Sequence, residues 1–143
     1  VIRLRVGIVI SPRGGALKKM LTPFKMGAGG KVGNGHQYMS WISLDDLAAS
    51  ILHCIENESI SGAVNAVAPE SVTNKVFTKT LGRVLKRPTM FPLPAFAAKL
   101  AFGEMAEALL LCSSRVVPGV LAESGFEFAH PELEGALRHQ LGK

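Results

Sequence analysis

The stretch RVGIVISPRGG (Arg5–Gly15) constrains the fold of this chain more than any other segment. Apart from two arginines, apolar and mostly β-branched residues occupy both alternations from Ile2 to Ile10, which is typical of a parallel strand covered on both faces. Gly7 interrupts the run, and a glycine inside a strand often marks close approach by a ligand or another backbone. The sequence therefore predicts a buried central strand, and it leaves open whether Gly7 serves a ligand or only packing.

Helical and extended patterns alternate along the rest of the chain, which predicts the α/β class. One helix starts at a capping box formed by Ser43 and Asp46 and ends before Gly62. Its apolar periodicity predicts that it buries Leu47, Ile51, Leu52 and Ile55. Further helices are predicted at 16–26, 74–86, 95–111, after Pro118 and at 131–141, and short strands at 63–68 and 126–128.

The number of strands is too small for a complete sheet. A central strand covered on both faces needs parallel neighbours, and the sequence offers one long strand with a few short ones. We therefore expect the chain to be the C-terminal part of a larger α/β protein, with the N-terminal half of the sheet outside it.

Composition excludes several classes of function. The chain has 16 Lys and Arg against 11 Asp and Glu, and only 6% aromatic residues, so it lacks the basic stripe with interleaved aromatics that marks nucleic-acid binders. The most apolar helical stretch, 95–111, contains three charged residues, which argues against a membrane span. Two isolated cysteines and no recognisable signal peptide predict a cytoplasmic protein, or an organelle-matrix protein in a eukaryote.

Motifs for phosphate and metal binding are absent from the sequence. The glycine-rich segment GAGGKVGNGHQ (27–37) has Val32 where a P-loop needs Ser or Thr, and it reads as a loop or hairpin. The four histidines and two cysteines show no metal-ligand spacing, so no metal site is predicted. Asp45 and Asp46 stand at a helix start, where capping is favoured over acid–base work.

The carboxyl end of the first strand is the candidate binding site that the residues themselves suggest. In open α/β sheets, ligands bind outside the carboxyl ends of the strands. Here that end is Val9-Ile10-Ser11-Pro12-Arg13.

The chain resembles the C-terminal half of an atypical extended short-chain dehydrogenase/reductase family, whose members are labelled NAD-dependent epimerase/dehydratase-like or "epimerase family protein". The resemblance rests on LRVGIVISPRGG, on HQYMSWISLDD, on GAVNAVAPESVTN and on the terminal GFEFAHPELEGAL. It implies the C-terminal part of a Rossmann-like doubly wound parallel sheet with a small, mostly helical substrate-binding subdomain. It divides the chain into 1–90, part of the NAD(P)-binding domain, and 91–143, a DUF1731-type domain.

The resemblance also implies roles for single residues. The residues expected to contact the nicotinamide end of the cofactor are Val6, Gly7, Ile8 and Val9. Ser11 and Arg13 would face the substrate pocket. His36, Gln37 and Trp41 would line a different pocket, although Trp41 also fits a core position. Asp46 matches a structural aspartate at a helix start.

Two departures from the family pattern limit what this chain can do alone. The cofactor fingerprint G-x-x-G-x-x-G and the Tyr-x-x-x-Lys pair are missing, because the only tyrosine, Tyr38, has Ile42 four residues later. We therefore predict no catalytic residue within the chain. The setting Gln37-Tyr38-Met39 also lacks the arginine that clamps a diphosphate in nucleotide-sugar epimerases, which argues against such a substrate.

These observations predict the C-terminal portion of an NAD(P)-dependent oxidoreductase or epimerase-like protein. The complete protein would use NADP or NAD for hydride transfer with a small carbonyl or alcohol, and the isolated chain would be inactive. The expected partners are this small-molecule substrate and the missing N-terminal half of the sheet, with a homodimer as a further expectation. The alternative is a non-catalytic module that senses nucleotides or binds a protein.

Overall fold

A computed structural model of the chain describes residues 1–27, 29–90, 92, 94, 100 and 115–143. Strands and helices alternate along the chain, so the α/β prediction is confirmed. The strands are β1 (Ile2–Val6), β2 (Ile8–Ile10), β3 (Tyr38–Met39), β4 (Trp41–Ser43), β5 (Gly62–Ala66) and β6 (Val72–Thr73). The helices are α1 (Gly15–Lys25), α2 (Leu44–Glu56), α3 (Asn74–Leu85), α4 (Gly119–Glu123) and α5 (Leu133–Leu141).

The predicted strand from Ile2 to Ile10 is two strands, because its pairing partner changes at Gly7. β1 pairs in parallel with β5, and β2 pairs in parallel with β4. The N–H of Gly7 still donates to the Ala66 carbonyl at 3.3 Å, whereas the N–H of Ile8 donates to the Ser40 carbonyl at 2.9 Å. The first strand therefore leaves β5 and joins β4 within one residue.

The other edge of β4 continues the sheet. The Trp41 carbonyl accepts a hydrogen bond of 2.6 Å from the N–H of Ala68, just after β5. Ser40 and Trp41 are consecutive residues of an extended segment, so their carbonyl groups point to opposite edges of the strand. β4 thus lies between β2 and the segment after β5, where it fills the gap left as the two parallel strands separate. β3 and β6 form a short antiparallel pair beside it.

Two apolar clusters hold these elements together. The larger one joins β2 and β4 to three helices and includes Ile10 and Trp41, with Leu17 of α1, Phe77 of α3 and Leu137 of α5. The smaller one lies beside β1 and β5 and contains Cys54, Ile60, Val64 and Leu121. Because α5 contributes to the larger cluster, the C-terminal helix packs in the same core as β2 and α1 near the start of the chain.

Helix α2 is capped as predicted but buries the opposite face. The Ser43 hydroxyl accepts a hydrogen bond of 3.1 Å from the N–H of Asp46, so the predicted cap is confirmed. The buried residues of the helix are Asp46, Ser50 and Cys54. The predicted burial of Ile51, Leu52 and Ile55 is wrong, since these side chains are 39%, 54% and 71% exposed, and Leu47 is only half-buried. The polar tether at Asp46, rather than the apolar stripe, sets which face of α2 points inward.

The Asp46 carboxylate fastens the C-terminal segment to α2. Its two oxygens accept hydrogen bonds of 2.8 Å and 2.9 Å from the N–H groups of Ala129 and His130. Asp46 is only 1% exposed, so these two donors replace the water that its charge would otherwise need. This one carboxylate therefore fixes where the chain enters α5.

Most remaining predictions of secondary structure are confirmed, with one exception. The Thr73 hydroxyl caps α3, and α4 follows Pro118. The predicted strand at 126–128 is wrong, because these residues have no strand partner in the described part of the chain. The rings of Phe126 and Phe128 pack edge to face, with centroids 4.9 Å apart. The predicted helix at 95–111 lies outside the described residues, except for Leu100, and the predicted boundary between 90 and 91 stays a prediction.

Among the helices of the described ranges, none combines the length and the apolar character needed to cross a membrane.

Candidate functional site

An open cleft of about 460 Å³ lies where the first strand changes partner. Its floor contains Val6 and Gly7 from the strand junction and Asn65 from β5. The segment Arg115–Val117 forms one wall of the cleft, and Ser40 and Val67 also line it. Arg5 completes the lining. The cleft therefore combines valine side chains, two guanidinium groups and one amide, a mixture that suits a ligand with both a flat apolar part and an anionic part.

Two serines hold the segment at Val116 against the sheet. The Ser40 hydroxyl accepts a hydrogen bond of 2.9 Å from the N–H of Val116. The Ser71 hydroxyl lies 3.2 Å from the Ser40 hydroxyl and donates to the Val116 carbonyl at 3.3 Å. Both backbone groups of Val116 are thus satisfied by side chains, which fixes this wall of the cleft.

The two ends of the same wall are also fastened. The amide of Asn65 donates to the Val117 carbonyl at 3.2 Å. The guanidinium carbon of Arg115 lies 4.8 Å from the centre of the Tyr38 ring, a cation–π contact. Arg115 therefore stands beside the Gln37-Tyr38-Met39 segment in space, although 76 residues separate Met39 from Arg115 in the sequence.

The four residues predicted to contact the cofactor divide into two pairs. Val6 and Gly7 line the cleft. Ile8 and Val9 lie on β2, where Ile8 is 6% exposed and belongs to the larger apolar cluster. The structure gives Gly7 a packing role, because a Cβ there would lie 2.6 Å from the Ser40 carbonyl oxygen and 2.9 Å from Val67 Cγ1. The contacts with a cofactor stay predictions.

The predicted substrate residues Ser11 and Arg13 share one turn after β2. The buried Ser11 hydroxyl accepts a hydrogen bond of 3.2 Å from the N–H of Arg13. The Arg13 side chain is exposed. Neither residue lines the cleft at Gly7, so the structure separates them from Val6 and Gly7.

The other three predicted substrate residues lie in different environments. His36 is exposed on the glycine-rich loop, and Gln37 donates from its amide to the Val32 carbonyl at 3.0 Å. Trp41 is 1% exposed in the larger cluster, and its indole N–H donates to the Glu70 carbonyl at 3.0 Å. The sequence left open whether Trp41 lies in the core, and the structure places its side chain there. A role of Trp41 toward a substrate stays a prediction.

The sequence interpretation missed seven of the nine residues that line the cleft; besides Val116 and Val117, five others were missed. They are Arg5, Ser40, Asn65, Val67 and Arg115. Asn65 carried a signal, since it is the one polar side chain inside the apolar strand GAVNAVA. Arg115 carried none, because only the tertiary fold brings it to Tyr38.

A second cluster of polar groups joins α2 to α5. Asp45 Oδ2 lies 2.6 Å from His139 Nε2 and 3.8 Å from His130 Nε2, and the two imidazoles stack with centroids 4.4 Å apart. One ligand atom of each residue falls within 4.8 Å of the others. The residues come from three separate elements, so spacing along the sequence did not reveal the cluster. The expectation that the chain holds no metal site stays a prediction.

Comparison with known proteins identifies relatives along almost the whole chain. Residues 93–140 match the family described as "Domain of unknown function (DUF1731)". An epimerase family protein from Mycobacterium tuberculosis is 43% identical over 137 residues, which cover 96% of this chain and 46% of the relative. The chain therefore spans about half the length of the curated relatives it matches.

Two solved structures agree with the fold described above. The crystal structure of the human epimerase family protein SDR39U1 with NADPH is 37% identical, with a TM-score of 0.92, and covers 99% of this chain and 48% of the human one. The nucleoside-diphosphate sugar epimerase from Corynebacterium glutamicum is 33% identical, with a TM-score of 0.74, and covers 99% of this chain and 26% of that one. The prediction of a Rossmann-like α/β fold is thus confirmed. The chain belongs to the epimerase family and corresponds to the C-terminal half of its members.

Proposed function

We propose that this chain supplies the substrate-facing half of an NAD(P)-dependent oxidoreductase or epimerase-like enzyme. The complete protein would transfer hydride between the nicotinamide and a small carbonyl or alcohol. The observation that carries the proposal is the cleft at Gly7, which lies where two parallel strands separate. Crevices of this kind are where open α/β sheets bind their ligands. The NADPH in the structure of the human relative supports the choice of cofactor.

The cleft fits a nicotinamide nucleotide in its shape and in its chemistry. Val6, Val67 and Val116 offer apolar side chains to a flat ring. Arg115 and Arg5 offer two cations to phosphate or to a negatively charged substrate. The nicotinamide would supply the hydride, and these residues would orient it and exclude water.

The groups that move protons would come from outside these 143 residues. Tyr38 lacks a lysine four positions later, and Arg115 covers its ring. We therefore assign to this chain binding and orientation, and to the other half of the family fold the proton donor. In this arrangement Arg115 holds an anionic group of the substrate, and Asn65 keeps the Arg115–Val117 wall in place.

Kinetics of the full-length protein test the proposal. Once a carbonyl substrate has been found by screening NADPH oxidation, Arg115→Met should raise KM about tenfold or more, because one charge-assisted contact is lost. Arg3→Met is the matched control, since Arg3 is an exposed arginine of β1 outside the cleft. An unchanged KM in Arg115→Met would remove this residue from the substrate site.

A non-catalytic role remains the second candidate. Met39 favours this role, because it stands at the position where nucleotide-sugar epimerases have an arginine that binds a diphosphate. Met39 is 1% exposed and has no polar group to offer a ligand. In this case the full-length protein would bind NADPH but would oxidise it with no member of a broad carbonyl panel. Turnover with any carbonyl substrate in the panel would exclude this alternative.

A further inference from the structure

A second, smaller cavity lies on the outer side of α3, away from the residues assigned above. Its volume is about 200 Å³. It is lined by Lys31, Lys75, Thr78, Lys79, Thr89, Met90 and Pro92. Three of these seven residues are lysines and none is acidic, so the cavity carries a concentrated positive charge.

The three lysines have no acidic partner in the described part of the chain. None of the ion pairs there involves Lys31, Lys75 or Lys79. Lys75 and Lys79 are exposed and Lys31 is half-buried, and all three side chains line one concave space. Their mutual repulsion is unfavourable unless an anion enters the cavity.

The stems of two of the lysines meet at Gly35. A Cβ on Gly35 would lie 3.0 Å from Lys31 Cδ and 3.1 Å from Lys75 Cβ, and its φ of +74° also favours glycine. The Gly35 carbonyl accepts a hydrogen bond of 2.9 Å from the N–H of Lys75. Asn74 reinforces this junction, because its carboxamide oxygen accepts from the N–H of Val32 at 2.6 Å. The loop that carries Lys31 is therefore fixed on the start of α3.

The opposite wall is fixed as well. Thr89 packs so closely on α3 that a Cβ at Gly82 would lie 2.5 Å from Thr89 Cγ2. The N–H of Arg87 donates to the Gly82 carbonyl at 2.9 Å, which turns the chain back along the helix. The cavity thus lies between two segments that are both docked on α3.

One buried hydroxyl in this cavity lacks a hydrogen-bond partner. Thr78 is 2% exposed, and its Oγ1 has no hydrogen-bond partner among the residues that the structure describes. A buried polar group without a partner is unfavourable, so such groups are rare and call for an explanation. Because this oxygen is shielded from solvent, its contact with a ligand requires a change between the two χ1 rotamers that threonine adopts in helices.

We propose that this cavity binds a phosphate group, held by Lys31, Lys75 and Lys79 and by a hydrogen bond from Thr78. Lysine ammonium groups bind phosphate as point charges, and a hydroxyl adds a directed donor. The apolar residues Met90 and Pro92 stand at the same cavity, where the organic part of a phosphate monoester contacts them. The site is separate from the cleft at Gly7 and does not depend on the function proposed for that cleft.

Binding of inorganic phosphate to the full-length protein, measured by calorimetry at low ionic strength, tests the proposal. Saturable binding is expected, and Lys79→Gln should weaken it about tenfold, as the loss of one charge-assisted hydrogen bond implies. Lys18→Gln is the matched control, since Lys18 is an exposed lysine of α1 outside the cavity. Phenyl phosphate distinguishes the two possible ligands, a phosphate monoester and free phosphate. If it binds more tightly than inorganic phosphate, the site is assigned to monoesters; if the two bind equally, the site is assigned to free phosphate.

Thr78→Val separates a binding role from a structural one. The variant keeps the shape of the side chain and removes the hydroxyl without a partner, so the midpoint of thermal unfolding without phosphate should not fall. Its affinity for phosphate should fall about threefold to tenfold. Three results would overturn the proposal: no saturable binding, equal affinity in Lys79→Gln and wild type, or displacement of phosphate by NADPH, which would place the anion in the other cleft.

Discussion

Gly7 lies so close to Ser40 that a Cβ on residue 7 would be 2.6 Å from the Ser40 carbonyl oxygen. This contact is the point at which β4 enters between two separating strands, and the cleft opens beside it. Packing against a backbone therefore explains the glycine, and the cleft is a consequence of the same crossing.

Replacing Gly7 with alanine should disturb this crossing. The added methyl group must displace a backbone carbonyl rather than a flexible side chain, so we expect a loss of about 1–3 kcal/mol in the free energy of unfolding. Urea unfolding measures it. Gly135→Ala is the control, because no atom lies within 4 Å of the added Cβ and alanine favours a helix interior. A Gly7→Ala protein as stable as the wild type would contradict the packing account.

The neighbouring carboxylates Asp45 and Asp46 should differ sharply in their effect on stability. Asp46→Asn removes the charge of a buried group and replaces one of its two acceptor oxygens with an NH₂ that faces a backbone N–H, so we expect a loss of about 2–4 kcal/mol. Asp45→Asn removes an exposed ion pair with His139, which should cost less than about 1 kcal/mol. Chemical denaturation of both variants provides the comparison. Equal losses would show that Asp46 does not hold the C-terminal segment in place.

Glu134 should make a small part of the stability depend on pH. Hydrogen bonds from Arg83, and then from Arg138, lower the pKa of its carboxyl group in the folded protein. A lowered pKa means that the stabilisation is present above the pKa of the unfolded state and is lost as the pH falls through the folded value. Glu134→Gln should therefore be less stable than wild type at neutral pH and equally stable in strong acid. Glu127→Gln, an exposed glutamate without an ion pair in the described residues, should show no such dependence.

The exposed apolar side chains of α2 should make residues 1–143 self-associate when produced alone. Ile51, Leu52 and Ile55 form an unpaired patch, and patches of this kind promote association. Sedimentation velocity of Ile55→Lys should show less association than the wild type. Val76→Lys is the control, because Val76 is a half-exposed apolar residue on α3. Association that is equal in both variants would assign it to another surface, such as the free edge of β1.

The sequence predicted the elements better than their contacts. Caps at Ser43 and Thr73 are local, so the residues around them are enough to place α2 and α3. The split at Gly7 depends on β4, which lies more than thirty residues away, and periodicity carries no information about such a crossing. The burial of α2 was predicted wrongly for a related reason, since Asp46 binds a segment 83 residues later.

Prediction of the site had the same limit. The strand pattern marks Gly7, and the resemblance to the family added Val6; both line the cleft, and their contacts with a cofactor stay predictions. Asn65 and Arg115 reach the cleft only through tertiary contacts, whereas the predicted Ser11 and Trp41 are used by a turn and by the core. The resemblance to the family indicated the segment Val6–Val9, of which Val6 and Gly7 line the cleft, and the structure added the segment Arg115–Val117.

The most direct test of the account is NADPH binding by the full-length protein and by residues 1–143 alone, followed by the fluorescence of the reduced nicotinamide. If this chain forms one wall of a cofactor site that the other half completes, the full-length protein binds NADPH saturably and the isolated chain does not. Equal affinity in both would contradict the account, because the chain would then hold a complete cofactor site by itself.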